Sequence, residues 1–383
     1  SGMRRGPQVT GVAIHVDQLW FHTPGGIGTY IRNLVPAMAR RDPALDIRLF
    51  HARFDEEGPP ERWIRDFWVE ELPAPIRTLY PRWDLLGRPP LPPSLQGSEI
   101  VHATNSAAIP PAASGQRLVV TIHDLAFEYH PGMFPRSWRY TYRLGLRAAV
   151  ARADAIVTPS RNTAEDLLSR TRVDPARLHV VPLAASIGVA GEDADPTLAR
   201  LKIREPYVLF VGTLEPRKNL VRLIRAYRRV AATGLPHALV LAGPLGWHHD
   251  ALMREIALSG PGDIVMTGAV SETDLDALYR AGAAFVYPSL YEGFGLPVIE
   301  AMVRGIPTVA SNTSAVPEVA GDATLGVNPR SVREIAQGIE SVLTDLDLAE
   351  RLAKRGRRQA ERFSWDETAR LTLQVYDRVL EMK

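Results

Sequence analysis

Two glutamates bracket the most informative run of this chain, Tyr287-Pro288-Ser289-Leu290-Tyr291-Glu292-Gly293-Phe294-Gly295-Leu296-Pro297-Val298-Ile299-Glu300-Ala301. A strand pattern ends near Pro288, a glycine-containing loop follows, and Pro297 suits the first turn of a helix. Such a junction turns free backbone N–H groups and a positive helix end toward an anion. Gly293 and Gly295 let the backbone pass close to a ligand. Ionised carboxylates only accept hydrogen bonds, so they suit sugar hydroxyls, which donate them. With Glu292 on the loop and Glu300 in the helix, the two would address different parts of one bound molecule. The plainer alternative is that Glu300 supports a helical turn and Glu292 is solvated. Two acids flanking a Gly-x-Gly-x-Pro helix start favour ligand contact.

A second run, Leu214-Glu215-Pro216-Arg217-Lys218-Asn219, follows the strand pattern Tyr207–Thr213. Arg217 would give phosphate oxygens a planar fork and Lys218 a mobile point charge. Together they would neutralise a departing diphosphate without a divalent metal. The plain reading of the pair alone is a solvated turn. His123-Asp124 also follows a strand, Leu118–Ile122. A carboxylate can orient an imidazole for base chemistry, but neighbours in sequence rarely face each other, so Asp124 reads as structural or acceptor-facing. Pro24-Gly25-Gly26-Ile27-Gly28-Thr29-Tyr30 joins a strand region to a helix and lacks the last glycine of a dinucleotide fingerprint. It suits a loop whose backbone, at Gly26, approaches a donor or acceptor.

These loops need sheets to hold them. Short β-rich runs alternate with helical ones, the pattern of an α/β chain with parallel sheets. The strands expected in the first half are Val9–Val16, Asp46–Phe50, Ile100–Ala103, Leu118–Ile122, Ala155–Thr158 and Leu178–Pro182. The second half supplies Tyr207–Thr213, Ala238–Ala242, Ile264–Thr267, Ala283–Pro288 and Thr308–Ser311. Ile31, Leu34, Val35, Met38 and Ala39 recur at helical spacing, as do Leu220, Leu223, Ile224, Tyr227, Val230 and Ala231. Residues 51–98, with Pro59-Pro60, Pro89-Pro90 and Pro92-Pro93, predict an irregular excursion. From Ala184 to Arg204 strand signals stop and a linker is expected. Ser331-x-x-Glu334 and Ser364-x-x-Glu367 have capping-box form and start late helices. Two doubly wound domains would hold a ligand at the carboxyl ends of their strands.

Composition sets limits. The 383 residues suit two domains, and 45% hydrophobic with 23% charged residues is ordinary for a soluble globular protein. A net charge of +2 is no argument for a nucleic-acid partner. The absence of cysteine excludes disulfides, thiolate metal sites and thiol nucleophiles, and agrees with a reducing cytoplasm. No run is long and apolar enough to span a bilayer and no signal-peptide pattern opens the chain. Ser1-Gly2 ahead of Met3 reads as a tag remnant. Asp-x-Asp triplets at Asp193–Asp195, Asp274–Asp276 and Asp345–Asp347 follow no strong strand and read as linker or capping acids. Arg136, Arg139, Arg143 and Arg147 share a helix face opposite Trp138, Tyr142 and Leu146. That is a solvated amphipathic helix first, and a basic strip for an anionic acceptor or membrane surface second. His248-His249 reads as a surface loop.

Glu292-Gly-Phe-Gly-Leu-Pro-Val-Ile-Glu300 matches the Glu-x7-Glu signature of retaining GT-B glycosyltransferases and most resembles glycosyltransferase family 4. The resemblance extends over nearly the whole chain. It implies that Glu300 holds the donor ribose hydroxyls and Glu292 contacts the donor sugar. It also implies that the backbone of Phe294, Gly295 and Leu296 lies against sugar and diphosphate. Gly212, Arg217 and Lys218 match the family's phosphate-binding Gly-x-x-x-x-Arg/Lys-Lys element, Gly26 its Gly-Gly loop, and His123 the histidine beside the transferred sugar.

The expected fold is therefore two Rossmann-like doubly wound domains of α/β class facing a central cleft. The expected boundaries are an N-terminal acceptor domain over 3–183, a linker over 184–204, and a nucleotide-sugar domain over 205–362. A last helix, 363–383, crosses back to the N-terminal domain. The expected activity is retaining, metal-independent transfer of a hexose to a hydroxyl of a saccharide or glycolipid. The Gly-Thr-Leu-Glu-Pro-Arg-Lys-Asn-Leu loop looks most like mannosyltransferases using GDP-mannose. No cofactor or metal is expected beyond the nucleotide-sugar co-substrate. The location would be cytoplasmic, with peripheral contact at the inner membrane face admitted. Alternatives are a UDP-glucose-dependent glucosyltransferase, a sugar-nucleotide epimerase or hydrolase on the same fold, and a non-catalytic nucleotide-sugar binder. Donor hydrolysis or acceptor-dependent turnover separates them.

Overall fold

The computed structural model describes residues 9–55, 61–186 and 194–382. Ser1-Gly2, Pro59-Pro60, Asp193 and the 187–193 part of the expected linker lie outside the described residues. The chain forms two compact units. One comprises the chain up to Tyr129, Pro135–Leu183 and the segment from Ser364 onward; the other comprises His130–Phe134 and Ala184–Phe363.

The first unit is built on a seven-stranded sheet: β1 Gly11–His15, β2 Asp46–Arg53, β3 Trp68–Pro75, β4 Ile100–Ala103, β5 Arg117–Thr121, β6 Ala155–Thr158 and β7 Leu178–Val180. Their order is β3-β2-β1-β4-β5-β6-β7, and every pairing is parallel. The helix Gly25–Arg41 lies against the last helix, Trp365–Glu381, which belongs to this unit. That last helix is fastened by Thr368 Oγ1 donating to Pro182 O at 2.7 Å and by Tyr376 Oη with His102 Nδ1 at 2.6 Å.

The second unit holds six strands: β8 Tyr207–Val211, β9 Ala238–Ala242, β10 Ile264–Gly268, β11 Ala284–Tyr287, β12 Thr308–Ser311 and β13 Leu325–Val327. Their order, β10-β9-β8-β11-β12-β13, is again wholly parallel. β8, β9, β11 and β12 are buried at every position, because helices cover both faces of a parallel sheet. This is why their sequences read as continuous apolar runs rather than as alternations. The strand order reverses between β8 and β11. In a doubly wound sheet the connections on either side of that reversal leave in opposite directions and open a crevice at the carboxyl ends. The two loops singled out for chemistry are the ones that follow β8 and β11.

The structure departs from or adds to the sequence reading in four places. Residues 51–98 are not an irregular excursion, since they contain β3 and a helix, Ile76–Leu86. β3 is an edge strand in which only Leu72 is buried, and there Pro73 and Pro75 cost no central ladder bond. The helix carries Pro81 and is held by buried Leu79, Tyr80 and Trp83. The linker stretch contains a helix, Asp195–Leu201, begun by Pro196 and tied by Thr197 Oγ1 to Asp274 at 2.9 Å. β13 gave no readable signal at three residues. The two capping boxes are half made: Ser331 and Ser364 accept from the N–H groups of Glu334 and Glu367 at 3.2 and 3.1 Å. The glutamates turn elsewhere, Glu334 to Asn328 N and Glu367 to Arg370.

Candidate active site

The carboxyl end of β8 is shaped by two glycines. Gly212, with φ 142°, and Gly243, with φ 145° after β9, occupy backbone regions that disfavour side chains. A Cβ on Gly243 would stand 2.1 Å from the Gly212 carbonyl oxygen. Gly243→Ala should therefore destabilise the fold by about 2–4 kcal/mol, read by urea unfolding.

Beyond Gly212, the chain makes a single 3-10 turn, Pro216–Lys218, and enters the helix Leu220–Ala231 through Asn219, whose φ is 64°. Asn219 Nδ2 donates to the carbonyls of Pro288 at 2.9 Å and Pro329 at 2.6 Å, and Leu290 N donates to Arg217 O at 2.9 Å. These bonds stitch the loop after β8 to the loop after β11. They bring Arg217 and Lys218 onto Glu292. Arg217 Nη1 donates to Glu292 Oε2 at 2.9 Å and to Tyr291 O at 2.9 Å. Lys218 Nζ donates to Glu292 Oε1 and to Tyr287 Oη, both at 2.6 Å, and Tyr287 Oη donates to Glu292 Oε1 at 3.0 Å. On its other edge, Arg217 donates through Nε and Nη2 to Glu215 Oε1 at 3.2 and 2.8 Å.

The electrostatics follow from this packing. Burial pushes the Glu292 carboxyl up, but the charges of Arg217 and Lys218 outweigh it and hold it at about 2. Burial, then Arg217, lowers Lys218 below the usual lysine range, with Glu292 opposing. Burial raises the Tyr287 phenol well above its ordinary value.

The loop after β11 ends at Gly295, φ 101°, which starts the helix Leu296–Arg304 with Pro297 in its first turn. Glu292 N donates to Ser314 Oγ at 2.9 Å, from the loop after β12. Phe294 is buried and meets the Phe363 ring edge-on at 5.8 Å, so only its backbone is available to a ligand. Leu296 is half-buried. Glu300 lies in the helix and accepts from Tyr279 Oη at 3.0 Å, apart from the Glu292 network. Burial raises its carboxyl, opposed by that bond and by Arg304.

In the first unit, His123 Nε2 donates to Thr104 O at 2.9 Å and its ring meets Tyr30 edge-on at 4.9 Å. Burial lowers its pKa, so the ring is neutral and Nδ1 is an acceptor. Tyr30 Oη bonds Thr121 Oγ1 at 3.1 Å, and Thr121 bonds His102 Nε2 at 2.8 Å. Asp124 accepts from Ala126 N at 2.9 Å, which gives its carboxylate a turn-capping role. Gly26 is exposed in the first turn of the helix Gly25–Arg41. The tight neighbour there is Gly28, where a Cβ would stand 2.3 Å from Pro24 Cβ.

The second and third acidic triplets are occupied by local structure. Asp274 Oδ1 accepts from Thr197, its carboxylate also pairs with Arg200, and its N–H is capped by Ser271; Asp276 pairs with Arg304 at 2.7 Å; Asp345 caps Leu348 N. Among the described residues, no group of three or more His, Asp or Glu is arranged to hold a metal. On the basic helix, Arg143 forks onto Glu128 at 2.6 and 3.0 Å, and Trp138 is 46% exposed. His249 Nδ1 lies 2.7 Å from Gly246 O. Among the described residues, no helix is long and apolar enough to cross a membrane.

Sequence reasoning missed Glu215, Tyr287 and Ser314. Glu215 and Tyr287 stood in quoted runs, but nothing marked them beyond an acid before a proline and an aromatic at a strand end. Ser314, between Asn312 and a capping alanine, carries a φ of 55° that only coordinates reveal.

Comparisons with known proteins agree over both halves. A family model described as Glycosyl transferases group 1 matches residues 197–359, and one described as Glycosyltransferase Family 4 matches residues 24–186. The chain is similar to the O-antigen chain mannosyltransferase B of Escherichia coli, 34% identical over 267 residues, covering 68% of this chain and 70% of that protein. It is also similar to the serotype-specific mannosyltransferase WbdA of Escherichia coli, 32% identical over 245 residues, 61% of this chain but only 30% of WbdA's length. Among solved structures, sucrose-phosphate synthase from Thermosynechococcus elongatus superposes with a TM-score of 0.74 at 21% identity, covering 98% of this chain and all of that one.

Proposed function

The chain belongs to glycosyltransferase family 4 and has the GT-B fold, and from that premise we propose that it transfers mannose from GDP-mannose to a hydroxyl of a saccharide or glycolipid, with retention at the anomeric carbon and without a metal. It is a glycosyltransferase; the donor, the stereochemistry and the metal independence are the proposal.

The observation that carries it is the convergence of Arg217 and Lys218, from the loop after β8, on Glu292 from the loop after β11. Two cations at a sheet's switch point are what a departing diphosphate needs. Glu292 itself makes a poor nucleophile, because a carboxylate held at about 2 by two cations and bonded also by Tyr287 has its electron pairs committed. That disfavours a covalent sugar intermediate on Glu292. It favours same-face displacement instead. The acceptor oxygen bonds to the anomeric carbon as the bond from that carbon to the phosphate oxygen breaks. The departing diphosphate takes the acceptor's proton, and Arg217 and Lys218 stabilise the charge on the diphosphate. Glu292 accepts from hydroxyls of the donor sugar, Glu300 from the ribose hydroxyls, and His123 offers Nδ1 to a sugar hydroxyl. The backbone of Gly26, Gly212, Phe294, Gly295 and Leu296 flanks the donor.

Mannose is supported by the two mannosyltransferase relatives and by the Gly-Thr-Leu-Glu-Pro-Arg-Lys-Asn-Leu loop. The test is a thermal-shift panel of GDP, UDP, ADP and their sugars, with and without EDTA. A ligand that binds only the folded state at about 100 times its Kd stabilises by about 2.7 kcal/mol. GDP and GDP-mannose should raise Tm, and EDTA should not remove the shift. A shift with UDP-sugars alone removes mannose, and a shift abolished by EDTA removes metal independence.

A further inference from the structure

The clamp is already charge-balanced before any ligand arrives: Arg217 and Lys218 face Glu292 and Glu215. Glu292 has a role toward the sugar, and Glu215 has none in that scheme. Yet Glu215 is more deeply placed, 4% exposed, with Oε1 taking both Nε and Nη2 of Arg217. Its other oxygen, Oε2, is buried and has no hydrogen-bond partner among the described residues. Nor can the side chain readily retreat. Lys218 N donates back to Glu215 O at 3.1 Å, and Gly246 crosses so closely that a Cβ there would lie 3.2 Å from Glu215 Cβ. A structural prop for Arg217 would be served as well by a neutral amide. A fixed, poorly solvated negative charge does something further, because it repels any phosphate that competes for the same guanidinium.

We propose that Glu215 is a positioning residue that holds Arg217 in register and speeds departure of the nucleoside diphosphate product by competing with it for that guanidinium. This rests on the reading of Arg217 and Lys218 as the diphosphate clamp. The donor enters with its diphosphate already esterified to sugar. Once the product releases the proton it took from the acceptor, it carries an additional charge on the terminal phosphate, so the repulsion from Glu215 weighs more on product than on donor. The clamp can then stabilise the leaving group during transfer without trapping it afterwards.

The test is calorimetric titration of the full chain and its Glu215→Gln variant with whichever of GDP, UDP and ADP the wild type binds most tightly, and with the matching monophosphate. Glutamine keeps an oxygen for Arg217 and removes the charge. The diphosphate should bind about tenfold tighter to the variant, while the monophosphate, which lacks the distal phosphate, changes by less than about twofold. In steady state, kcat and the donor KM should fall together. Glu215→Asp, still charged, should keep the wild-type ratio of diphosphate to monophosphate affinity. If the glutamine variant does not fold, Glu215→Asn makes the same comparison. Equal changes for both nucleotides, or none, overturn the proposal. Arg217→Ala separates this from failure of the clamp: if it leaves diphosphate affinity untouched, or if no diphosphate binds the wild type, the clamp itself is wrong and the proposal falls with it.

Discussion

Replacing Lys218 with methionine should lower kcat/KM for sugar transfer by about a thousandfold, the scale of losing one preorganised charge donor at a leaving group. Lys218 is 93% buried and its ammonium reaches Glu292 and Tyr287 at 2.6 Å, so its position is fixed before donor binds. Preorganisation is what makes a charge effective, because no reorientation is needed when the bond to phosphate breaks. Methionine retains most of the volume, which keeps the void small. It still leaves Glu292 with one cation instead of two, and breaking a buried pair costs about 3–5 kcal/mol. Two measurements separate lost chemistry from lost fold. The monophosphate of the donor nucleotide should bind as to wild type, while the diphosphate binds more weakly. Transfer within a few fold of wild type in a folded variant would remove Lys218 from the clamp.

How much of this was legible beforehand depended on the range of the interaction. β4, β6, β9 and β12 were found to the residue, because a strand covered on both faces must be apolar throughout. β3 was not, since an exposed edge strand is free of that demand and its prolines imitate a break. The helix Ile76–Leu86 went unread too, since it carries Pro81 against local propensity and is held by buried Tyr80 and Trp83. In the site, each run announced its own residue types, and Glu292, Arg217 and Lys218 were all named from sequence. What no spacing announced is that they touch one another across more than seventy residues of chain. That contact is set by sheet order, by β8 lying beside β11, and by Asn219 bonding the far loop. The same contact explains why Glu215 went unread. An acid beside two cations in sequence looks like local charge balance until its burial and its empty oxygen are seen.

Glu292→Gln should separate binding from chemistry and expose the acid stability of the site in one variant. Transfer should fall by about a hundredfold to a thousandfold, because the amide cannot accept from the sugar hydroxyls as a carboxylate does while Arg217 and Lys218 lose their main anion. Nucleoside diphosphate should bind as tightly as to wild type or more so, since one competing negative charge is gone. A catalytic defect with undiminished product affinity is not what general unfolding gives. The pH dependence carries a second sign. The Glu292 carboxyl sits at about 2 in the folded chain against 4.5 for the free group. Its contribution to stability is therefore fully present above pH 4.5 and is lost as pH falls through about 2. The gap corresponds to about 3 kcal/mol. Urea unfolding at a series of pH values should show wild type more stable than the variant near neutrality and the difference closing between pH 4.5 and 2. A difference that stays constant over that range would mean the carboxylate is not held by the two cations, and the electrostatic account of the clamp would fail with it.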